Sequence, residues 1–161
     1  MRPVMLATDG SPTADRATET AIELAQLLDT ELVVVTVWNI PYAATGLAPA
    51  PISADYTKLT EEDSRQLVAK VATRGEEAGV ETETLVLRGF PVEEICLAAE
   101  KYDPRFLVVG SHGWGAVKRA LFGSVSTGVL HRATCPVLIV RAERGGDEGA
   151  ALDGTRKPAH A

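Results

Sequence analysis

Short apolar runs alternate along the chain with stretches whose apolar residues recur every three or four positions. Runs typical of buried strands lie at 4–7, 32–37, 80–87, 106–109 and 137–140. The stretches between them have the period of helices that bury one face. Strands separated by helices are typical of a parallel sheet covered by helices. The pattern therefore predicts a single α/β domain, with an open five-stranded parallel sheet and helices on both faces.

Helix-start signals occur where the period changes. Ser11 followed by Pro12 is typical of an N-cap and a first helical position. Thr60 begins a Thr-Glu-Glu-Asp segment that resembles a capping box. Pro91 marks the start of a third helix, and Ser124 is predicted to cap a short fourth helix before the last strand.

Two segments lack any regular period. Residues 39–57 carry three prolines among alanines, and are predicted to form a long loop of the kind that often acts as a lid. From Ala142 onward the composition turns to Gly, Asp, Glu, Arg and Ala. We therefore predict one domain over residues 1–141 and a disordered tail over residues 142–161.

Charge and composition exclude several classes of partner. The chain has 161 residues and a net charge of −6, which would repel nucleic acid and anionic lipid. No apolar run approaches the roughly 18 residues of a membrane helix, and no signal-peptide pattern follows Met1. Cys96 and Cys135 have neither metal-ligand nor disulfide spacing and are expected to be buried thiols. We expect a cytoplasmic protein that binds neither nucleic acid nor membrane.

Glycines follow two of the predicted strands, where an open parallel sheet binds its ligands. Thr8-Asp9-Gly10 follows the first strand, and Gly110 and Gly113 follow the fourth, with Gly123-Ser124 at the next helix start. Glycine lets backbone N–H groups approach phosphate oxygens, and a helix N-terminus adds unpaired donors. The spacing Gly-x2-Gly-x9-Gly-Ser therefore predicts a phosphate cradle made in two pieces. The simpler alternative is that these glycines are loop residues and that Asp9 only stabilises the helix start.

Three other motifs fail on the same residues. A P-loop requires Lys after its second glycine, but Gly115 is followed by Ala116. A dinucleotide fingerprint requires a third small residue at position 118, which is Lys118. Ser111-His112 suggests a nucleophile and base, but adjacent side chains are expected to diverge and no acid orients the histidine. We predict no catalytic residue and no fast chemistry.

Residues 4–140 resemble a universal stress protein of the ATP-binding branch. The resemblance is carried by Asp9-Gly10-Ser11, Val108-Val109-Gly110-Ser111-His112-Gly113, Gly123-Ser124-Val125-Ser126 and Cys135-Pro136-Val137-Leu138-Ile139-Val140. It implies an adenine nucleotide α-hydrolase-like sheet with strand order 3-2-1-4-5. It also implies bound ATP, and a homodimer in which Val137 to Val140 pair with the same strand of a second subunit.

The resemblance further implies ten nucleotide contacts. The base and ribose side would be formed by Ala7, Asp9 and Val37. The border between ribose and phosphates would be formed by Val109, Gly110 and Gly113. The phosphate chain would be bound by Gly123, Ser124, Val125 and Ser126. Asp9 would either accept a hydrogen bond from a hydroxyl or help hold Mg²⁺ through water, and the residues do not choose between these roles.

The function implied is that of a dimeric, nucleotide-dependent stress-response regulator with at most slow ATP hydrolysis or autophosphorylation. One alternative is an adenylating enzyme of the ATP-pyrophosphatase type. Such enzymes place a Ser-Gly-Gly-x-Asp-Ser loop after the first strand, which Thr8-Asp9-Gly10-Ser11-Pro12 does not match. The other alternative is a stress protein that acts through protein contacts without nucleotide, which loss of the glycine spacing would have indicated.

Overall fold

Five parallel strands form one open sheet in the computed structural model, which describes residues 1–38, 60–113 and 122–141. The strands are β1 (Val4–Ala7), β2 (Leu32–Trp38), β3 (Thr82–Arg88), β4 (Phe106–Gly110) and β5 (Val137–Val140). Their order is β3-β2-β1-β4-β5. The five predicted strands and the strand order implied by the resemblance are confirmed.

Within the described residues, four helices connect these strands, and all four lie where the sequence predicts them. They are α1 (Pro12–Leu27), α2 (Glu61–Glu77), α3 (Pro91–Tyr102) and α4 (Ser124–Arg132). Ser11 caps α1 by accepting a hydrogen bond from the Ala14 amide. Thr60 and Asp63 form a complete capping box at the start of α2.

The end of α2 explains why β3 begins two residues later than predicted. Gly79 has φ +76°, and its amide donates to the Glu76 carbonyl at 2.9 Å. The Val80 amide donates to the Gly75 carbonyl at 2.8 Å. This pair of bonds is a Schellman motif, which requires a left-handed residue at Gly79. Val80 therefore closes the helix end, and the strand starts at Thr82.

The sheet buries a separate apolar core on each face. Successive strand residues point to opposite faces, so Val4 and Leu6 of β1 pack under α1 and α2 while Met5 and Ala7 pack under α3 and α4. Val4, Met5 and Leu6 are all 0% exposed. Burial of each such side chain contributes about 1.5–3 kcal/mol. Helices therefore cover both faces, as the apolar runs predict.

Several expectations are corrected or fall outside the described residues. Cys96 is buried, but Cys135 is only partly buried, because it precedes β5 at the edge of the sheet. The predicted lid of residues 39–57 and the predicted tail of residues 142–161 lie outside the described residues. Among the described helices, none has the length and apolar character needed to cross a membrane.

Candidate functional site

The loops that follow β1 and β4 lie side by side at the centre of the sheet. Ala7 is in register with Val109, so both strands end at the same edge. The Ser111 amide donates to the Val140 carbonyl of β5 at 2.7 Å, and the Thr8 amide donates to the Val35 carbonyl of β2 at 2.9 Å. The first residue of the loop after β4 is thus bonded to β5, and the first residue of the loop after β1 is bonded to β2.

The start of α1 holds the loop that follows β4. The hydroxyl of Ser11 donates to the His112 carbonyl at 3.3 Å, and the Thr13 hydroxyl donates to the same carbonyl. A Cβ at Gly110 would lie 3.0 Å from the Ala14 amide nitrogen and 3.0 Å from the Thr13 carbonyl carbon. Gly110 is therefore required because α1 packs directly on the end of β4.

Asp9 lies at the junction of the two loops. One carboxylate oxygen, Oδ1, accepts a hydrogen bond from the Ser11 amide at 3.0 Å, which orients the side chain locally. The other oxygen, Oδ2, lies 2.5 Å from the position that a Cβ would take at Gly113. Gly10 has φ +72°, the left-handed turn that sets Asp9 between β1 and α1. The two loops meet at Asp9 and Gly113.

Gly123, not Ser124, is the N-cap of α4, which corrects the prediction. Gly123 has extended backbone (φ −72°, ψ 169°) and provides no side-chain cap to the helix. Its own amide donates to the Ser111 carbonyl at 2.7 Å. Ser124 is therefore the first helical residue, and its side chain is exposed. Without a capping side chain, the first turn of α4 can offer its amides to an anion.

The Ser126 hydroxyl is used in hydrogen bonds within the protein. The Oγ atom is 2.9 Å from the Ser111 carbonyl oxygen and 3.1 Å from the Gly123 carbonyl oxygen, and the residue is 3% exposed. This hydroxyl fastens α4 to the loop after β4. A phosphate contact at Ser126 would therefore fall to its backbone amide.

Four of the ten predicted contact residues have side chains in the core. Ala7 and Val109 are buried, and Val37 and Val125 pack against the same apolar cluster under α3 and α4. The buried side chains of Ala7 and Val109 leave mainly backbone atoms for a ligand, whereas those of Val37 and Val125 are only partly buried. The other six residues lie in the loop after β1, at the end of β4, in the loop that follows it and at the start of α4.

The Ser111 and His112 side chains do not diverge, contrary to expectation. Ser111 Oγ lies 3.1 Å from His112 Nδ1. Ser111 is nevertheless 2% exposed, so its hydroxyl is not accessible to a substrate. Sequence reasoning missed Thr13, which holds the His112 carbonyl; the only signal for it was its place in the Ser-Pro-Thr segment that starts α1.

Among the described residues, no group of three or more His, Cys, Asp or Glu side chains is placed to hold a metal ion. A groove of about 510 Å³ lies at the other end of the strands, where β2 and β3 begin, next to the C-termini of α1 and α2. Asp29, Glu31 and Glu81 are among its lining residues. Their charge would repel phosphate, so this groove is not the predicted nucleotide site.

Fold and site together define a doubly wound α/β protein whose candidate ligand loops lie at the carboxyl ends of adjacent central strands. A family model described as the universal stress protein family matches residues 1–141. The chain belongs to the universal stress protein family.

Relatives in sequence and in structure agree with this assignment. The universal stress protein MJ0531 of Methanocaldococcus jannaschii is 35% identical over 140 residues, which cover 86% of this chain and 81% of that protein. The solved structure of hypothetical protein MJ0577 from the same organism has a TM-score of 0.73 at 23% identity, covering 88% of this chain and 96% of that chain. A universal stress protein solved in complex with cAMP has a TM-score of 0.64 at 25% identity, covering 86% and 96%.

Proposed function

We propose that this chain binds ATP between the loop after β1 and the start of α4, and acts as a dimeric nucleotide-dependent regulator of a stress response. One observation carries the proposal: residues 111–113 contact both halves of the site. A Cβ at Gly113 would meet the Asp9 carboxylate, and a Cβ at Gly123 would lie 3.4 Å from the His112 Cα. The predicted base side and phosphate side are therefore separated by one short loop.

The phosphate end of the proposed site is the first turn of α4. The amides at a helix start carry partial positive charge, which stabilises an anion. The cap residue Gly123 has no side chain that would compete for these amides. Ser124, whose side chain is exposed, adds a hydroxyl beside them. This end suits a triphosphate even in a chain whose net charge is −6.

The Asp9 carboxylate suits either a ribose hydroxyl or a hydrated Mg²⁺ ion. Protein sites for Mg²⁺ commonly supply one or two carboxylates, and substrate phosphates and water complete the octahedron. The absence of a three-residue metal cluster within the described part of the chain is compatible with that mode. When bound, Mg²⁺ would neutralise phosphate charge beside Asp9.

The relative in complex with cAMP supports an adenine nucleotide as the ligand class. We propose ATP because the three-glycine spacing, and an α4 start whose cap residue Gly123 has no side chain, provide a cradle for a phosphate chain. Turnover is proposed to be slow at most, as hydrolysis or autophosphorylation, because the Ser111 hydroxyl beside the site is enclosed.

The proposed dimer uses β5, which is an edge strand within the described sheet. Leu138 is 36% exposed, and the other three residues of β5 are only partly buried. A bare apolar edge invites pairing with another strand, and a two-fold axis would close the assembly. We also propose that the protein works in the cytoplasm, since both cysteines are free thiols, as in a reducing compartment.

Gly123→Val tests the nucleotide site. Its Cβ would make only ordinary contacts, 3.4 Å or longer, so the fold should tolerate it while the branched side chain obstructs the helix start. Ala69→Val, at an exposed position of α2, is the matched control. Thermal shifts with ATP, AMP and cAMP, with and without Mg²⁺, measure binding by mass action.

We expect ATP to raise the melting temperature of the wild type and the Ala69→Val control but not of Gly123→Val. Mass spectrometry of ligand released from the denatured wild type would identify what the protein carries. Normal ATP binding by Gly123→Val would refute the site. No shift of the wild type with any nucleotide would favour a stress protein that acts through protein contacts alone.

A further inference from the structure

In the described part of the protein, two enclosed side-chain hydroxyl groups have no hydrogen-bond partner. Thr36 Oγ1 on β2 and Ser64 Oγ on α2 are both unpaired among the described residues. The two residues are 1% and 0% exposed. By contrast, the equally buried Thr18 hydroxyl donates to the Ala14 carbonyl at 2.9 Å. A buried hydroxyl without a partner is costly and calls for a physical explanation.

By strand and helix period, Thr36 and Ser64 lie on the same side of the sheet, where α2 packs on β2. Val34 of β2 and Val68 of α2 belong to the same core cluster. Thr36 lies two residues after Val34, about 6.6 Å along the strand. Ser64 lies one turn before Val68, about 6 Å along the helix. A crossover helix runs antiparallel to its strand. The step from Val34 to Thr36 and the step from Val68 back to Ser64 therefore both lead toward the carboxyl ends of the strands.

The same segment of α2 reaches the turn that carries Asp9. Leu67 follows Ser64 by three residues, and a Cβ at Gly10 would lie 3.1 Å from Leu67 Cδ1. The unpaired hydroxyls are therefore in the layer just beneath the carboxyl edge, enclosed by α2 and close to the β1–α1 turn. A ligand there must be small, since neither residue is open to solvent.

We propose that Thr36 and Ser64 together bind one internal water molecule. Each hydroxyl can donate or accept, so a single water can pair with both, and internal waters commonly make about three such bonds. The two hydroxyls form no direct hydrogen bond with each other, so water supplies the bridge. It links α2 to β2 and thereby holds Leu67 against Gly10, next to Asp9.

A double-mutant cycle tests the shared water without any nucleotide. The four proteins are wild type, Thr36→Val, Ser64→Ala and the double variant, and the measurement is the melting temperature. Removing one hydroxyl from a shared water leaves the other unpaired, so Ser64→Ala should lower the melting temperature of the wild type by roughly 2–5 °C. In the Thr36→Val background the Ser64 hydroxyl is already unpaired, so Ser64→Ala should raise the melting temperature or leave it unchanged.

This reversal of sign distinguishes a shared water from two independent hydroxyls. The intrinsic preference of alanine for helix cancels between the two backgrounds. Thr18→Val is the control for losing a paired buried hydroxyl, and it should lower the melting temperature in either background. Equal effects of Ser64→Ala in both backgrounds would overturn the proposal. So would a high-resolution crystal structure of the wild type with no water within hydrogen-bond distance of both hydroxyls.

Discussion

The carboxylate of Asp9 occupies the space that a side chain at Gly113 would need. Its Oδ2 atom lies 2.5 Å from the position of a Cβ at Gly113, closer than real Cβ contacts allow. Gly113 therefore does more than make a flexible loop, since its missing side chain sets where the acidic group can lie. The placement of Asp9 depends on a residue more than a hundred positions later in the chain.

Gly113→Ala is expected to displace the Asp9 side chain and weaken ATP binding roughly tenfold, about 1.4 kcal/mol. Asp9 is at the end of a short flexible side chain, so it should rotate without unfolding the protein. Titration calorimetry measures the affinity, and thermal melting without ligand serves as the control. Unchanged ATP affinity in Gly113→Ala would contradict a role for the Asp9 position in binding.

Gly110→Ala is expected to destabilise the protein by about 1–3 kcal/mol, because its Cβ would press on the backbone of Thr13 and Ala14 at 3.0 Å. Gly123→Ala is the matched comparison, since its Cβ would approach neighbouring atoms no closer than 3.4 Å. Urea unfolding of both variants measures the difference. Equal stability of the two would show that α1 is not tightly packed on β4.

The Tyr102 hydroxyl donates to the Glu83 carboxylate, and this hydrogen bond, together with burial and the charges of Glu83 and Glu31, raises the pKa of Tyr102 to about 12. A raised pKa of an acid means that the folded state favours the neutral phenol. This contribution to stability is therefore complete below the ordinary pKa of 10.0 and is lost as the pH rises from 10 to 12.

Tyr102→Phe should remove this loss of stability between pH 10 and 12, because the variant has no phenol to titrate at this position. Difference absorbance between wild type and Tyr102→Phe isolates the titration of Tyr102 from that of the other two tyrosines. We expect the difference signal to appear well above pH 10. A midpoint at the ordinary value would show that the Glu83 bond does not persist in solution.

Leu138→Lys is expected to convert the proposed dimer to monomer. A charge on the exposed side chain of an edge strand opposes pairing with a second copy. Thr134→Lys, an exposed position just before β5, adds the same charge outside the strand and should leave the dimer intact. Light scattering during gel filtration gives both masses. An unchanged mass for Leu138→Lys would count against the β5 interface.

The secondary structure followed closely from local patterns. Apolar runs located all five strands, and the cap residues Ser11 and Thr60 located two helix starts. The strand order 3-2-1-4-5 was implied by the family resemblance, because periodicity shows which residues are buried and says nothing about which strands are neighbours. At the start of α4 local reasoning chose the wrong cap, because Ser124 is a favourable cap residue while Gly123 has the extended backbone that the cap position requires.

The sequence by itself determined the strands and helices, and it predicted a ligand site at Asp9 and the nearby glycines, which stand out by type and spacing. Only the tertiary structure decided what each does: Gly110 admits α1, Gly113 admits the Asp9 carboxylate, and the Ser126 hydroxyl fastens α4. The hydroxyl pair of Thr36 and Ser64 was equally invisible beforehand. Helical and strand periods arise from neighbours in the chain, whereas these contacts join residues far apart in it, and packing alone brings them together.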